Sequence, residues 1–304
     1  MADKNLHTIS IGMPVYNDKI FLKEALDSLL TQTYSNFIII ISDDCSNDGS
    51  KDICLEYQNR DERVKYIRQE VNIGISKNMK YLLDTADTDF FMWAANDDIW
   101  HPEFLQTVYN GLINSSNAIS AFTPYRFVDQ FSKLLIEPPA RYTDYSGNLP
   151  KIRLKKLIYK FDDGFGYGLF RRNEISNVTF PIWWWVNRKC AYNNIYPSLC
   201  YYLTKGDYVL CGNEPMWFNR LKNEDKINHK VPFPNSYIRG TFAYFLRKFN
   251  LVWASFNSII KASGSINLCI EIFPLIFFEW AIKPSYFFLI SQTKKFSKKE
   301  INFF

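Results

Sequence analysis

Residues 90–95 (Phe-Phe-Met-Trp-Ala-Ala) form an unbroken apolar run that stops abruptly at Asn96-Asp97-Asp98. A short apolar run between polar boundaries fits a strand buried on both faces, not one with a wet side. Such a strand needs cover on each side of its sheet, and crossover helices supply it. This run therefore narrows the chain to layered α/β architectures. It also sets two adjacent carboxylates at the carboxyl end of a buried strand, the edge where open α/β sheets keep their ligands. Oxygens that close together suit a hard divalent cation. The competing reading is a solvated turn before a helix that opens near Pro102.

The chain repeats the same alternation elsewhere. Residues 8–13 are a β-rich run halted by Pro14, residues 37–41 a second, 64–67 a third and 118–123 another. Between them, Phe21, Leu22, Ala25, Leu26, Leu29 and Leu30 fall on one helical stripe, and residues 50–59 and 76–83 also read as helices. After Pro102, Phe104, Leu105, Val108, Tyr109 and Leu112 share one helix face. Near-continuous apolar strands alternating with helices predict a mainly parallel sheet flanked by helices. Right-handed crossovers then gather the strand-to-helix loops along one edge. Those loops are polar: Pro14 to Asp18, Asp43-Asp44 with Asp48-Gly49, Asn72-Ile73-Gly74, and Asn96-Asp97-Asp98. No glycine-rich phosphate loop precedes a helix, which disfavours ordinary dinucleotide or P-loop binding.

Charge narrows the partners. The net charge is +5, yet from Val231 onward nine Lys and Arg stand against three Glu, so residues 1–230 sum to −1. A body of that balance is no nucleic-acid binder, and the basic tail is suited to an anionic membrane surface. The six cysteines form no CxxC pair and there are three histidines, which argues against a zinc site or disulfide framework and for a reducing cytoplasm. The polar start shows no secretory signal and no run of eighteen apolar residues predicts a span.

Four linked motifs carry a resemblance. Ile11-Gly12-Met13-Pro14-Val15-Tyr16-Asn17, the stretch from Ile41-Ser42-Asp43-Asp44 to Gly49-Ser50, Asn72-Ile73-Gly74 with Lys77-Asn78, and Asn96-Asp97-Asp98 resemble, in order and spacing, family 2 glycosyltransferases of the GT-A fold. The resemblance spans residues 8–130. It implies a nucleotide-diphospho-sugar donor and a divalent cation, Mg2+ or Mn2+. It places Pro14, Tyr16 and Asn17 in the nucleotide pocket, and Asp43 or Asp44 on the base edge. Gly74, Lys77 and Asn78 would then lie near ribose and phosphate, although a solvated helix face accounts equally well for Lys77 and Asn78. Asn96-Asp97-Asp98 would be the DxD element, with Asn96 standing where the family commonly has Asp. The cation is then expected mainly on Asp98, with Asn96 as a possible second ligand and Asp97 toward the donor. Asp48 reads as a helix cap alone.

Inverting members of the family supply a base as an Asp, often after a Glu, before a helix in the second half. No Glu-Asp pair occurs here, and Asn187 or Asn194 stands at the apparent base position. An amide takes no proton at neutral pH, so the nearest carboxylates, Asp162 and Asp163, are the base candidates. Asp207 reads as a turn residue. The Gly164 to Gly168 segment suits a close approach of backbone to sugar. Trp183 to Trp185 suit either sugar stacking or a core, and Arg171 and Arg172 suit either phosphate or surface ion pairs. Residues 266–290 are apolar but interrupted by Glu271, Pro274, Glu279, Lys283 and Pro284. They fit a segment lying in a membrane interface, with packing on the domain as the alternative.

The expected organisation is a catalytic domain over 1–230, donor half 8–130 and acceptor half 131–230, with an aromatic and basic helical extension over 231–304. The expected activity is metal-dependent, inverting sugar transfer to a glycan or lipid-linked acceptor. The expected location is the inner face of the plasma membrane, held peripherally. The alternatives are a catalytically silent sugar-nucleotide binder and a nucleotidyltransferase, the latter disfavoured by the Asp43 to Ser50 motif.

Overall fold

The structure is a computed structural model that describes residues 7–135, 141–147, 149–160, 162–181, 195–221 and 237–283, with the helical backbone alone over 237–247. The first half alternates as the apolar pattern requires: β1 (Ile9–Val15), α1 (Lys19–Leu30), β2 (Phe37–Asp43), α2 (Ser50–Arg60), β3 (Val64–Arg68), α3 (Ile75–Thr85) and β4 (Phe90–Trp93). A two-residue β5 (Ile99–Trp100), α4 (Phe104–Ile113), β6 (Ala118–Phe122) and β7 (Tyr125–Val128) follow. The second half runs α5 (Pro150–Lys160), a 3-10 turn (Gly164–Tyr167), β8 (Leu169–Arg171), α6 (Arg172–Ile175), α7 (Ile195–Lys205), β9 (Asp207–Leu210) and β10 (Trp217–Arg220). Two long helices close it, α8 (Tyr237–Ser263) and α9 (Ile266–Phe277), the latter running into a π turn (Phe278–Ile282).

Seven strands form the main sheet in the order β3-β2-β1-β4-β8-β6-β9, and β5-β10-β7 form a small second sheet. The β3-β2-β1-β4 half is parallel, while β8 runs antiparallel to both β4 and β6. The sheet is thus mixed and mainly parallel, as the strand pattern predicts.

Alternation within each strand builds two cores. Ile39, Ile41, Phe90 and Met92 face α1 and α4, packed with Leu22, Leu26, Val108 and Leu112. Their neighbours Ile40, Phe91 and Trp93 face the other way, against Leu82 of α3, Leu157 of α5 and Leu199 of α7. Period-two side-chain alternation with both sets apolar is what makes these strands read as continuous runs.

Two boundaries differ from expectation. β1 continues through Pro14 to Val15. Gly12 O accepts from Ala94 N at 3.0 Å and Val15 O accepts from Asp44 N at 2.8 Å, so alternate residues of β1 serve β4 and β2. Pro14 shares the parity of Gly12 and faces β4 beyond its last paired residue, Trp93. Its missing N–H therefore breaks no ladder bond. β4 in turn ends at Trp93, two residues before the apolar run does.

The C-terminal helices pack on the body. Leu251, Val252 and Ile259 of α8 and Cys269, Ile272 and Ile276 of α9 are buried in the same cluster as Phe170 and Tyr202. Packing on the domain, the alternative for residues 266–290, therefore describes the inner face of α9. The outer face is a separate matter. Asp207 is not a plain turn residue either: it opens β9 and pairs with Arg153 Nη1 at 2.6 Å.

Candidate functional site

The loops that follow β1, β2 and β4 and the one that precedes α3 meet at the carboxyl edge of the parallel strands. The first two are stitched together. Asn17 N donates to Ser46 Oγ (3.0 Å) and Asn47 N donates back to Asn17 Oδ1 (2.8 Å). Asn17 adopts a left-handed φ of 49° to do so. Its side chain is thus a latch between loops, and the cleft described below is lined by its neighbours instead. Asp48 also behaves as a cap: it accepts from Ser50 N, Ser50 Oγ and Lys19 N. Burial alone would raise its pKa, but these hydrogen bonds hold it below the usual carboxylate range.

The Asp43-Asp44 pair divides its work. Asp43 is fully buried, with Tyr66 Oη and Arg68 Nη1 donating to Oδ2 at 2.7 and 2.8 Å and Ser46 N donating to Oδ1 at 2.8 Å. Asp44 lines the cleft, where Ile73 N and Gly74 N donate to its two oxygens at 2.5 and 2.9 Å. Gly74 can turn its N–H inward because it holds φ at 83°, a region that side chains disfavour. Asn78, on the first turn of α3, clamps β2: its Nδ2 donates to Ser42 O at 2.8 Å and Ser42 Oγ donates to its Oδ1. Lys77 is exposed on the outer side of the helix, as a solvated face would be.

Between these loops lies a cleft of two lobes. The first, about 450 Å³, is lined by Pro14, Val15, Tyr16, Asp44, Asn72 and Gly74, with Asp18, Ile75, Asn78 and Asn96 at its edges. The second, about 330 Å³, is lined by Met79, Trp93, Ala94, Asp163, Gly166 and Tyr167, and shares Pro14, Ile75 and Asn96 with the first. The shared residues make the lobes neighbours across the end of β4.

Asp163 is the carboxylate in the second lobe. Burial and the adjoining Asp162 push its carboxyl up to about 6. Asp162 turns inward instead: its Oδ1 accepts from Gly164 N at 3.2 Å and its carbonyl accepts from Tyr145 Oη at 3.1 Å. Tyr167 lines the same lobe, and burial first, then the fields of Asp98, Asp163 and Asp97, raises its phenol well above the ordinary value. Its ring rests on Trp217 at 4.8 Å, which itself stacks on Tyr125 at 4.7 Å. This aromatic pile fixes the 3-10 turn that carries Asp163.

The turn after β4 gives its two carboxylates different surroundings. Asp98, expected to lead in holding a cation, is 1% exposed, and its Oδ1 accepts from Arg220 N at 2.9 Å. Asn219 Nδ2 approaches both of its oxygens at 3.4 Å. Burial first, then the nearby Asp97, raises its pKa well above the carboxylate range. Asp97 is partly exposed, and Asn96 reaches both lobes. Among the described residues no three His, Cys, Asp or Glu side chains come together as a metal cage. Mg2+ and Mn2+ do not need one. Mg2+ is ordinarily held by one or two protein oxygens, with substrate phosphates and water filling its octahedron. Asp97 and the Asn96 amide oxygen fit that donor set, and the buried Nδ2 of Asn96, which has no protein partner, leaves this amide uncommitted within the fold.

Arg220, which sequence reasoning did not single out, holds this turn from below. It is 3% exposed, donates from Nε to Asp97 O (2.8 Å) and from Nη1 to Asp129 O and Ser132 Oγ (both 3.0 Å), and pairs through Nη2 with Glu24 at 2.7 Å. The guanidinium also sits over the Phe21 ring, 4.3 Å from its centroid. A lone Arg closing a four-residue strand carries no motif, so only the fold reveals it.

Other expectations are relocated. Arg171 donates to Ala118 O and Leu112 O at 2.9 and 3.0 Å, tying the end of α4 to β6. Arg171 pairs with Phe90 in the ladder and Arg172 N donates to Asp89 O, so both sit at the amino end of β4, the edge opposite the cleft. Glycine at 164 and 168 is required by packing: a Cβ would fall 2.4 Å from the Tyr125 ring and 2.4 Å from Ala121 O respectively. Gly166 does line the cleft. Asn187, Asn194 and Trp183 to Trp185 lie outside the described residues.

Comparison with known proteins fits this geometry. Residues 10–179 match the sequence model of glycosyl transferase family 2. The chain is similar to glycosyltransferase GlyA of Streptococcus pneumoniae, 33% identical over 119 residues, which are 39% of this chain and 17% of that protein. It is also similar to the GalNAc(5)-diNAcBac-PP-undecaprenol beta-1,3-glucosyltransferase of Campylobacter jejuni, 26% identical over 203 residues, 65% of this chain and 62% of that one. The chain thus spans less than two thirds of either relative. In architecture it resembles S. aureus TarS solved in complex with UDP, with a TM-score of 0.62 at 15% identity, covering 88% of this chain and 69% of that one. That likeness is one of fold, and it meets the GT-A expectation.

Proposed function

Because this chain belongs to glycosyl transferase family 2, matched over more than half its length, we propose that it moves a sugar from a nucleotide-diphospho-sugar donor to a hydroxyl of a cell-surface glycan precursor. Polysaccharide, O-antigen and lipid-linked oligosaccharide are the acceptor classes, and the cytoplasmic face of the plasma membrane is the place. The observation that carries the reading is Asp163, a carboxylate raised to about 6, in a lobe that adjoins the polar first lobe.

The first lobe takes the nucleotide. Tyr16 and Pro14 present apolar surface to the base, and Asp44, oriented by Ile73 N and Gly74 N, accepts from a base imide. Asp43 stands behind it as a support. Gly74 and Asn78 shape the ribose side. The diphosphate then lies toward Asn96 and Asp97, which would hold a divalent cation that neutralises the leaving group. We assign that role to Asp97 in preference to Asp98, whose carboxylate faces Arg220 and Asn219.

In the second lobe the acceptor hydroxyl approaches the sugar from the side opposite the diphosphate. Its oxygen forms the bond to the anomeric carbon as the bond to the phosphate oxygen breaks. The electron pair leaves with the nucleoside diphosphate, and the hydroxyl proton passes to the Asp163 carboxylate. The product is inverted at the anomeric carbon. With a pKa near 6, Asp163 is ionised at neutral pH yet basic enough to receive a proton, the balance that general-base catalysis favours.

The experiment is a transfer assay over UDP-, GDP- and dTDP-sugars with and without Mn2+, using undecaprenyl-diphosphate-linked and free glycan acceptors. Cation-dependent transfer from one donor supports the reading. Donor binding with no transfer to any acceptor and no donor hydrolysis supports the silent binder instead.

A further inference from the structure

Among the described residues, α8 and α9 bury one face against the body and leave the other exposed. On α9 and the π turn that continues it, Ile266, Ile270, Pro274, Phe278 and Ile282 occur at successive steps of four, and every one is exposed. Ile266, Ile270 and Phe278 are 55%, 61% and 54% exposed, so more than half of each is left uncovered by the described residues. Steps of four define a surface ridge along a helix, here roughly 24 Å long at the usual rise. Beside the ridge runs a chain of ring contacts that bridges the two helices. Trp253 stacks on Phe256 (5.7 Å), Phe256 meets Phe273 (5.6 Å), Phe273 stacks on Phe277 (5.8 Å), and Phe277 meets Phe249 (5.6 Å). Trp253 at its end is 61% exposed. Contiguous apolar surface of this extent marks an interaction face.

We propose that this outer face of α8 and α9 docks on an anionic lipid bilayer, lying in the plane of its interface. Three observations choose this occupant. First, the carboxylates that interrupt the apolar sequence are paired: Glu271 with Lys151 of α5 at 2.5 Å, and Glu279 with Lys283 at 2.9 Å. Neither belongs to the ridge. Second, the sequence from Val231 carries nine Lys and Arg against three Glu, a balance that favours anionic headgroups over neutral ones as the partner of this part of the chain. Third, no helix among the described residues is long and apolar enough to cross a membrane, and Pro274 sits within α9, so the geometry suits lying flat rather than spanning. The inference stands apart from the catalytic reading, since it uses none of the cleft residues.

The test is cosedimentation of the full chain with phosphatidylcholine vesicles, with and without one third phosphatidylglycerol. The expected result is binding to the anionic vesicles alone, weakened by added salt. Ile270→Glu with Phe278→Glu lowers partitioning by about tenfold per residue while circular dichroism and the melting temperature stay those of the parent. Ile270→Ser with Phe278→Ser provides a milder pair should the charged one misfold, and lowers partitioning in the same direction. Equal binding to neutral vesicles, no binding to either, or variants that partition like the parent would overturn the proposal. So would a concentration-dependent dimer, seen by light scattering without lipid, that the same substitutions dissolve.

Discussion

Arg220→Met removes a side chain that ties the acidic turn to α1 and to the loop after β7. The guanidinium makes its ion pair with Glu24 at 2.7 Å and donates to Asp97 O, Asp129 O and Ser132 Oγ from a position with no exposed side-chain surface. Breaking a buried pair by deleting one partner costs about 3–5 kcal/mol. Glu24 is 41% exposed in its side chain and regains water, so the loss comes chiefly from the buried carbonyls. The lower figure, about 3 kcal/mol, is therefore expected. At roughly 2–4 °C per kcal/mol for a domain of this size, the melting temperature falls by about 6–12 °C. With Asp97 O released, the turn shifts and the donor KM rises. Arg220→Lys restores the Glu24 contact but not the fork of donors, so its melting temperature falls between the two. Calorimetry with donor titration reads both effects. A melting temperature within about 1 °C of the parent and an unchanged donor affinity would refute the assigned role.

Four further outcomes follow from the same contacts. Transfer depends on ionised Asp163, so its rate falls as pH drops through about 6 and is roughly tenfold below its plateau one unit lower; a pH–rate profile checks this. Asp97→Ala raises the Mn2+ concentration needed for donor binding with little change in melting, whereas Asp98→Ala also lowers stability by about 1–3 kcal/mol by stripping Arg220 N of its acceptor; paired metal titrations and melts separate them. Gly168→Ala places a Cβ 2.4 Å from Ala121 O and destabilises by about 1–3 kcal/mol, read by denaturant unfolding. Lys77→Ala, on an exposed helix face, leaves donor affinity unchanged in calorimetric titration.

The sheet was legible because its strands are apolar on both faces. Ile39, Ile40 and Ile41 need no neighbour in sequence to explain where they go, since each side of the sheet has its own core. The convergence of the polar loops followed from chirality alone. What the sequence could not show was direction. Asp43 and Asp44, like Asp97 and Asp98, are adjacent and chemically identical, yet the end of β2 and the turn after β4 each send one of the pair inward, to Arg68 or to Arg220 N. The partners that decide this lie 25 and 122 residues away. Nor could spacing tell that Gly164 and Gly168 are small because Tyr125 and Ala121 crowd them. In sequence Asp162 and Asp163 are an undivided pair, and the chain's entry into the 3-10 turn separates the one that lines the cleft from the one that bonds Gly164 N.

Asp163→Asn puts the proposed chemistry to its most direct test, because the amide keeps the shape of the lobe and removes only the basicity. With the matched donor and acceptor, single-turnover transfer is measured beside donor affinity on the same preparation. The expected result is donor affinity within about twofold of the parent and transfer slowed by about a hundredfold or more. Transfer at the parental rate with Asn at this position would show that another group takes the proton and that the second lobe has been misread.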